Sequence, residues 1–559
     1  MQCAMQLMHM PIGHYFKNCV EKYPNNIAVI DSGDGSSLTW KELDQISDRY
    51  AKSFLSLGLR KSDRILLWMG NRIEWVIIFI AAVKIGVIPS GLNVQYEKDE
   101  IDYIIRSSGA KAVFFADGFR DNDHPSILKS IISETGKKEG ESGRLPLFIH
   151  VGKSCCGSFL NFTSILSFEN KFSGKLDEYT EINPLDTASI LYTSGTTEHP
   201  KGVMLSHKSL VNNSYFTGIG LKLSAKDRLC LAVPFSHCFG ISAGLLTCIG
   251  AGTTAVLVGL FKPKDVLEAV RKYRCTALHG VPTMFQRLLE HPDFPQSDLS
   301  SLRTGIVAGA ACPSKVLEGI VNRLGMSELV VAYGQTETSP GCTQTDPDDS
   351  LAVKASTVGR PLPFVEMRVV DPETGLECPP GVKGELCTRG YHVMRGYVGQ
   401  PDQTAAVIDA GGWFHSGDCG FVDEDGRFHF ESRLKEIIVR GGENISPAEI
   451  EKAIMSIDAV RDVRVYGVPV DVYGEEIAAS ICLKPGYHLD KDELQKYLKG
   501  KISWCKIPKF VEFCDNFEVL SSGKVRVSAL RHRMEQTIAG LCAAAGTEKA
   551  AGVGGSINK

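Results

Sequence analysis

The 17 cysteines include no C-x-x-C pair, and their number is odd. Neither a zinc ribbon nor a fully paired secreted framework finds support, so they read as reduced thiols in a cytoplasmic compartment. Charge of one sign is lacking too: 61 Lys and Arg stand against 65 Asp and Glu, a formal net charge of -4. No global field therefore draws nucleic acid or an acidic membrane. A basic stretch is missing from the apolar residues 1–10, which makes a poor secretory signal, and residues 556–559 carry no lipidation or organelle tail. No clean membrane span is present. Residues 229–261 hold no Asp, Glu, Lys or Arg, but Pro234, His237 and several glycines and threonines dilute them. They read as a buried strand–helix–strand passage, which leaves at most a peripheral membrane contact open. Residues 250–255 fit a loose dinucleotide fingerprint, yet a strand-like Val256-Leu257-Val258 follows where a helix is required.

What is present is alternation. Short apolar strands are predicted at 64–69, 87–89, 112–115, 188–191, 276–279, 305–308 and 329–332. Helices are predicted at 75–83, 98–107, 263–273, 282–291 and 313–324. That order implies parallel sheets covered on both faces. Residues 119–180 read as irregular, with an exposed loop at 136–144. After Arg360-Pro361-Leu362-Pro363 the texture changes to short strands between turns, at 366–370, 384–388 and 426–430, which suggests a small β-barrel. A compact α+β module follows, with helices at 447–456 and 490–500 and strands at 460–468 and 476–483. The end of the chain is Gly/Ala-rich and reads as a flexible tail.

Between the α/β halves lies Tyr192-Thr193-Ser194-Gly195-Thr196-Thr197-Glu198-His199-Pro200-Lys201-Gly202. A glycine among hydroxyl residues lets backbone N–H groups turn inward as a nest for an anion, and Lys201 adds a mobile positive charge. A strand before it and a helical pattern beginning within 203–210 suggest a strand–loop–helix phosphate site. It is not a Walker loop: Pro200 stands where the second glycine belongs, and Gly202 where the magnesium-binding hydroxyl belongs. A Ser/Thr/Gly surface loop is the plain alternative.

Other polar clusters follow in order. They are Pro234-Phe235-Ser236-His237, Tyr333-Gly334-Gln335-Thr336-Glu337, Gly417-Asp418, Arg433 with Lys435, Gly441-Gly442-Glu443-Asn444 and Ser521-Ser522-Gly523-Lys524. Each has an ordinary structural reading: a core histidine, a helix-start acid, a Gly-Asp turn. As an ordered set, from about residue 10 to 535, they resemble the adenylate-forming superfamily. More narrowly they resemble its acyl-CoA synthetases, closest to the medium-chain fatty acyl and aryl-CoA ligases through Thr388-Arg389-Gly390-Tyr391-His392-Val393-Met394-Arg395-Gly396-Tyr397 and Ile438-Val439-Arg440-Gly441-Gly442-Glu443-Asn444-Ile445.

The resemblance implies an α/β fold with a large N-terminal domain and a smaller, mobile α+β C-terminal domain. The large domain spans 1–432, with α/β subdomains of about 10–180 and 181–362 and the small β-barrel at about 363–432. The lid spans 433–535 with a hinge near Lys435, and 536–559 is the tail. The implied reaction joins a carboxylic acid to coenzyme A, with ATP and magnesium, through an acyl-AMP. Thr193, Ser194, Gly195, Thr196, Thr197 and Lys201 would hold the β- and γ-phosphates, and Tyr333 and Gly334 would lie at the adenine. Thr336 would meet the α-phosphate, and Glu337 with Thr196 would bind magnesium. Asp418 and Arg433 would hold the ribose, and His237 and Gly309 would line the acyl site. Lys524 would bridge the α-phosphate and the carboxylate, and Gly441 and Gly442 would face the CoA channel after the lid turns.

Glu198 stands where the family usually has a glycine, and Ser432 where a glycine precedes the ribose arginine. A medium-chain fatty acid is the first expectation for the substrate, and a benzoate-like or alicyclic acid the second. Outside that class stand a carrier-linked amino-acid adenylation domain, a luciferase-type enzyme and a non-catalytic binder. The first is disfavoured because no acid occurs in 231–241 and no carrier module follows Met534. The expected particle is a monomer or homodimer.

Overall fold

A computed structural model describes residues 5–119, 122–135, 145–152, 157, 159–179, 181–193, 200–310, 312, 314–433, 438–445, 447–470, 474–517, 527 and 529–539. They fall into two compact units, one reaching residue 433 and one beginning at 438.

The larger unit carries two sheets of the doubly wound kind. One has nine strands, in the order Arg360–Pro361, Gly341–Gln344, Glu328–Gly334, Thr304–Val307, Ala277–Leu278, Arg228–Leu231, Thr254–Leu257, Ile27–Asp31 and Ser37–Thr39. From Ile27–Asp31 to Glu328–Gly334 the pairing is parallel, and antiparallel strands finish both edges. The second sheet has five parallel strands, in the order Ile88–Gly91, Arg64–Trp68, Ala112–Phe115, Leu147–His150 and Leu160–Asn161. Both faces of such sheets are buried, so their strands are short runs of Val, Ile, Leu and Phe.

One apolar core is shared by the two sheets. Ile65, Leu67 and Phe114 belong to it from one side, and Leu229, Leu231, Ala255 and Leu257 from the other. Helix Ile73–Lys84 sits in that core and buries nearly its whole surface. Trp75 stacks on Phe79, with ring centres 5.2 Å apart, and lies 4.6 Å from Phe235. The helix ends in a buried ammonium. Lys84 Nζ donates to Asp44 Oδ1 at 2.7 Å, Ser47 Oγ at 2.8 Å and Asp48 Oδ1 at 2.6 Å, so the buried charge is paired.

Three sequence expectations change. Strand Ile27–Asp31 pairs with Thr254–Leu257, so the first stretch of chain completes the sheet of the second half. A boundary near residue 180 therefore does not separate the sheets. Residues 119–180 hold helix His124–Thr135 and strand Leu147–His150, whose buried Leu128, Ile131 and Ile149 are hidden among glycines, serines and lysines. The loop expected at 136–144 lies outside the described residues. The segment expected as a small β-barrel forms a four-stranded antiparallel sheet, ordered Val365–Val370, Gly384–Gly390, Phe414–Val422 and Phe428–Arg433.

The smaller unit packs helices Pro447–Met455 and Lys491–Leu498 on a mostly antiparallel sheet. Ile450, Ile454, Leu494 and Leu498 close over Val463, Val465, Ile477 and Ile481. Its long hairpin, Val460–Val470 with Gly474–Leu483, gains a parallel edge strand at Phe510–Phe513. Among the described residues no helix is long and apolar enough to cross a membrane.

Candidate active site

The loop that dominates the sequence is flanked differently from expectation. Strand Thr187–Thr193 leads into it, and antiparallel strand Lys201–Ser206 leaves it, with Thr193 opposite Lys201 and Tyr192 opposite Gly202. Helix His207–Gly220 starts only afterwards, where Ser206 Oγ accepts the Ser209 N–H at 3.0 Å. The loop is thus carried by a hairpin, and no helix N-terminus follows it directly. Val203 and Leu205 go into the core, and that burial holds the segment extended, so the helix expected from 203–210 begins only at His207. A Cβ on Gly202 would meet Ile190 Cγ2 at 3.1 Å, so the hairpin also needs its glycine for close packing. Ser194, Gly195, Thr196, Thr197 and Glu198 lie outside the described residues.

Three other predicted clusters sit at the carboxyl ends of parallel strands in the nine-stranded sheet, where open α/β sheets take their ligands. The turn of Pro234 and His237 follows strand Arg228–Leu231, and Gly309 follows Thr304–Val307. Tyr333, Gly334, Thr336 and Glu337 end Glu328–Gly334 and enter a short 3-10 turn, Thr336–Thr338. His237 N–H donates to Pro234 O at 3.1 Å, just before a π-helical segment, Phe239–Leu246. Gly309 has φ +87°, with Val281 Cγ1 3.2 Å from where a Cβ would stand. Gly334 is required for another reason: a Cβ there would run into the carbonyl of Pro340.

Glu337 is held from two sides. Its carbonyl accepts the Met394 N–H at 2.8 Å, and its Oε1 accepts the Tyr397 hydroxyl at 2.9 Å. The ammonium of Lys201 lies 4.9 Å over the same Tyr397 ring. Tyr397 reaches this place because Gly396–Tyr397 is the third strand beside Lys201–Ser206. One phenol thus joins the predicted carboxylate to the predicted lysine. Burial, with the Glu337 charge second, pushes the Tyr397 hydroxyl far above its ordinary pKa, so it stays a donor. Burial and the same carboxylate push the Cys238 thiol up, which sets the His237 turn in the electrostatic reach of Glu337.

Asp418 is buried in strand Phe414–Val422, and its backbone faces that of Arg433. Its Oδ2 accepts both the Tyr333 hydroxyl at 2.8 Å and Gln335 Nε2 at 2.8 Å. Gln335 also donates to Ser416 O at 3.0 Å. Tyr333 therefore lies at the aspartate expected to hold a ribose, with its own ionisation suppressed by burial and then by that carboxylate. A ladder irregularity sets Asp418 in place. Glu385 pairs with Cys419 but Cys387 with His415, which leaves extra residues around Gly417, whose φ is +70°.

The site thus runs without a break from Asp418 through Tyr333, Gln335, Thr336, Glu337 and Tyr397 to Lys201. Gln335 and Tyr397 bond into this cluster, and sequence reasoning left both without a role. Both lie inside the motifs that carry the resemblance, but their partners are 83 and 60 residues away. In the smaller unit, Gly441 and Gly442, with φ +59° and +86°, form the two-residue turn between Ile438–Arg440 and Glu443–Ile445. The Arg433 side chain, Lys435 and Lys524 lie outside the described residues.

Comparison with known proteins gives the family. The model of the AMP-binding enzyme family matches residues 16–398, and that of the AMP-binding enzyme C-terminal domain matches 449–524. YngI of Bacillus subtilis (strain 168), named as a candidate acyl-CoA synthetase, is 41% identical over 539 residues, 94% of this chain and 98% of that protein. The human mitochondrial medium-chain acyl-CoA ligase ACSF2 is 36% identical over 538 residues, 94% of this chain and 88% of its own. The solved amide bond synthetase McbA of Marinactinospora thermotolerans superposes with a TM-score of 0.80 at 25% identity, covering 94% of this chain and 99% of that one. The chain belongs to the AMP-binding enzyme family of adenylate-forming enzymes, and is an AMP-forming acid–thiol ligase.

Proposed function

We propose that this enzyme converts a medium-chain fatty acid to its coenzyme A thioester through an acyl-AMP. The observation that carries the reading is the unbroken line from Asp418 to Lys201, which offers a ribose acceptor, an α-phosphate position, a carboxylate and an ammonium in the order that a nucleotide triphosphate needs them. The chain length follows the medium-chain ligases that are 36% identical over nearly the whole chain.

In the first step a carboxylate oxygen bonds to the α-phosphorus, the α–β bridging bond breaks, and pyrophosphate leaves. Both reactants are anions, so the barrier is largely charge repulsion, lowered by fixed cations and donors. Lys201 and the hydroxyl loop take the β- and γ-phosphates. Thr336 meets the α-phosphate. Asp418, fixed by two donors on Oδ2, accepts from the ribose hydroxyls together with Arg433. Glu337 suits magnesium, which commonly takes one carboxylate beside substrate phosphates, and Thr196 would join it; the ion supplies charge neutralisation when bound.

In the second step the coenzyme A sulfur bonds to the acyl carbon, the acyl–phosphate bond breaks, and AMP leaves. Lys524 serves the first step, and rotation about Lys435 brings Gly441 and Gly442 toward the thiol for the second. His237 and Gly309 border the acyl group. The described cysteines are all thiols, most of them buried, which suits work in the reducing cytoplasm.

The test is coenzyme A-dependent AMP release measured over straight-chain acids from short to long and over benzoate-like acids. A maximum at medium length is expected. A maximum on aromatic acids would move the substrate to the aryl class without touching the chemistry.

A further inference from the structure

Outside the nucleotide line, three metal-ligating atoms meet on the four-stranded sheet. Glu385 and Cys387 point from the same face of strand Gly384–Gly390, as residues two apart do, and His415 is the cross-strand partner of Cys387. His415 Nδ1 lies 2.8 Å from Glu385 Oε2 and 3.5 Å from Cys387 Sγ, and that sulfur lies 3.9 Å from Glu385 Oε2. Around a tetrahedral zinc, with bonds of about 2.0 Å to nitrogen or oxygen and about 2.3 Å to sulfur, such ligands stand about 3.3–3.6 Å apart. Each observed separation is near that range, so small side-chain rotations suffice.

The surroundings suit a metal as well. A ligating histidine commonly turns its other nitrogen to a carboxylate, and Asp409 Oδ2 lies 3.7 Å from His415 Nε2. The second carboxylate oxygen of Glu385 is already fixed, accepting the Gly417 N–H at 2.8 Å, so Oε2 is held toward the histidine. Cys387 is buried, while the His415 side chain is 31% exposed and gives a path from solvent. Thiolate, imidazole and carboxylate together form a donor set of the zinc class.

We propose that Glu385, Cys387 and His415 form a binding site for a zinc-class divalent cation. Binding forms three bonds, to Sγ, Nδ1 and Oε2, and releases the thiol proton to solvent. The site does not depend on the ligation reading, since its occupancy is measured without any substrate.

The test titrates cobalt(II) into the metal-free full-length protein and follows the thiolate-to-cobalt charge-transfer band in the near ultraviolet. One saturable site with this band is expected. Cys387→Ser should abolish the band, and Glu385→Gln should weaken binding at least tenfold. Cys514→Ser should leave both unchanged; it alters a thiol pair elsewhere, Cys482 and Cys514, whose sulfurs are 3.6 Å apart. If Cys387→Ser is not recovered folded, His415→Gln at the half-exposed ligand carries the same test. A wild-type protein without the band, or a band that survives Cys387→Ser or His415→Gln, overturns the proposal.

Discussion

The hydroxyl of Tyr397 donates to Glu337 Oε1 across 2.9 Å while its ring carries the Lys201 ammonium 4.9 Å from the ring centre. The two charges proposed to meet the nucleotide are thereby spaced by one side chain. Tyr397→Phe keeps the ring under Lys201 and removes only the hydrogen bond to the carboxylate. Such bonds to charged groups contribute about 1.5–3 kcal/mol, so kcat/KM for ATP should fall about tenfold or more, with little change in melting temperature. Steady-state AMP release against ATP concentration checks this. An unchanged kcat/KM would remove Tyr397 from the site.

Asp418 gives a prediction about the nucleotide itself. With its Oδ2 fixed by Tyr333 and Gln335, the carboxylate should discriminate between ribose and its deoxy analogues. The wild-type enzyme should use ATP in preference to the 2′- and 3′-deoxy forms. Asp418→Asn should erase most of that preference while raising the KM for ATP roughly tenfold or more. Equal discrimination in wild type and variant would place the ribose elsewhere.

A third prediction concerns pH. His279 is buried as a neutral ring: Nε2 donates to Ala243 O at 3.0 Å and Nδ1 accepts the Ile306 N–H at 3.1 Å. Burial lowers the pKa of His124, His207 and His279 to about 4, and that of His392 to about 3. Each folded-state value lies below the unfolded one of about 6.5, so between the two the unfolded chain binds more protons. Stability should therefore hold above about pH 6.5 and fall as pH drops through 6 and 5, by about 1.4 kcal/mol per pH unit for each such histidine. Urea unfolding at pH 7.5 and pH 5.0 measures it. Equal midpoints would mean that these rings titrate normally.

A fourth prediction is a backbone one. Gly334→Ala would drive a Cβ into the Pro340 carbonyl, displacing the turn that presents Gln335 and Glu337. Activity should fall more than a hundredfold, far beyond any drop in melting temperature. Comparing AMP release with a thermal melt separates the two, and near-normal activity would show that the turn can relax.

Much of this architecture can be read without coordinates. Helix Pro263–Tyr273 and strand Ala112–Phe115 follow directly from residue pattern, because their burial is local and periodic. The hairpin of Lys201–Ser206 does not. Its sequence leads into a helix as well, and only pairing with Thr187–Thr193 and Gly396–Tyr397 decides for a strand. The place of strand Ile27–Asp31 is equally opaque, since its parallel partner lies more than two hundred residues on. In the proposed site, Lys201, Glu337 and Asp418 announce themselves by chemistry. Gln335 and Tyr397 bond to distant partners, and nothing in their own neighbourhood reveals which.

The central claim is that a carboxylic acid is first joined to AMP and only then meets coenzyme A. Exchange of radiolabelled pyrophosphate into ATP measures that first step alone. The account predicts exchange that requires the acid, proceeds without coenzyme A and collapses in Lys524→Ala, while Lys524→Ala still forms thioester from supplied acyl-AMP. Exchange that demands coenzyme A, or release of ADP in place of AMP, would contradict it.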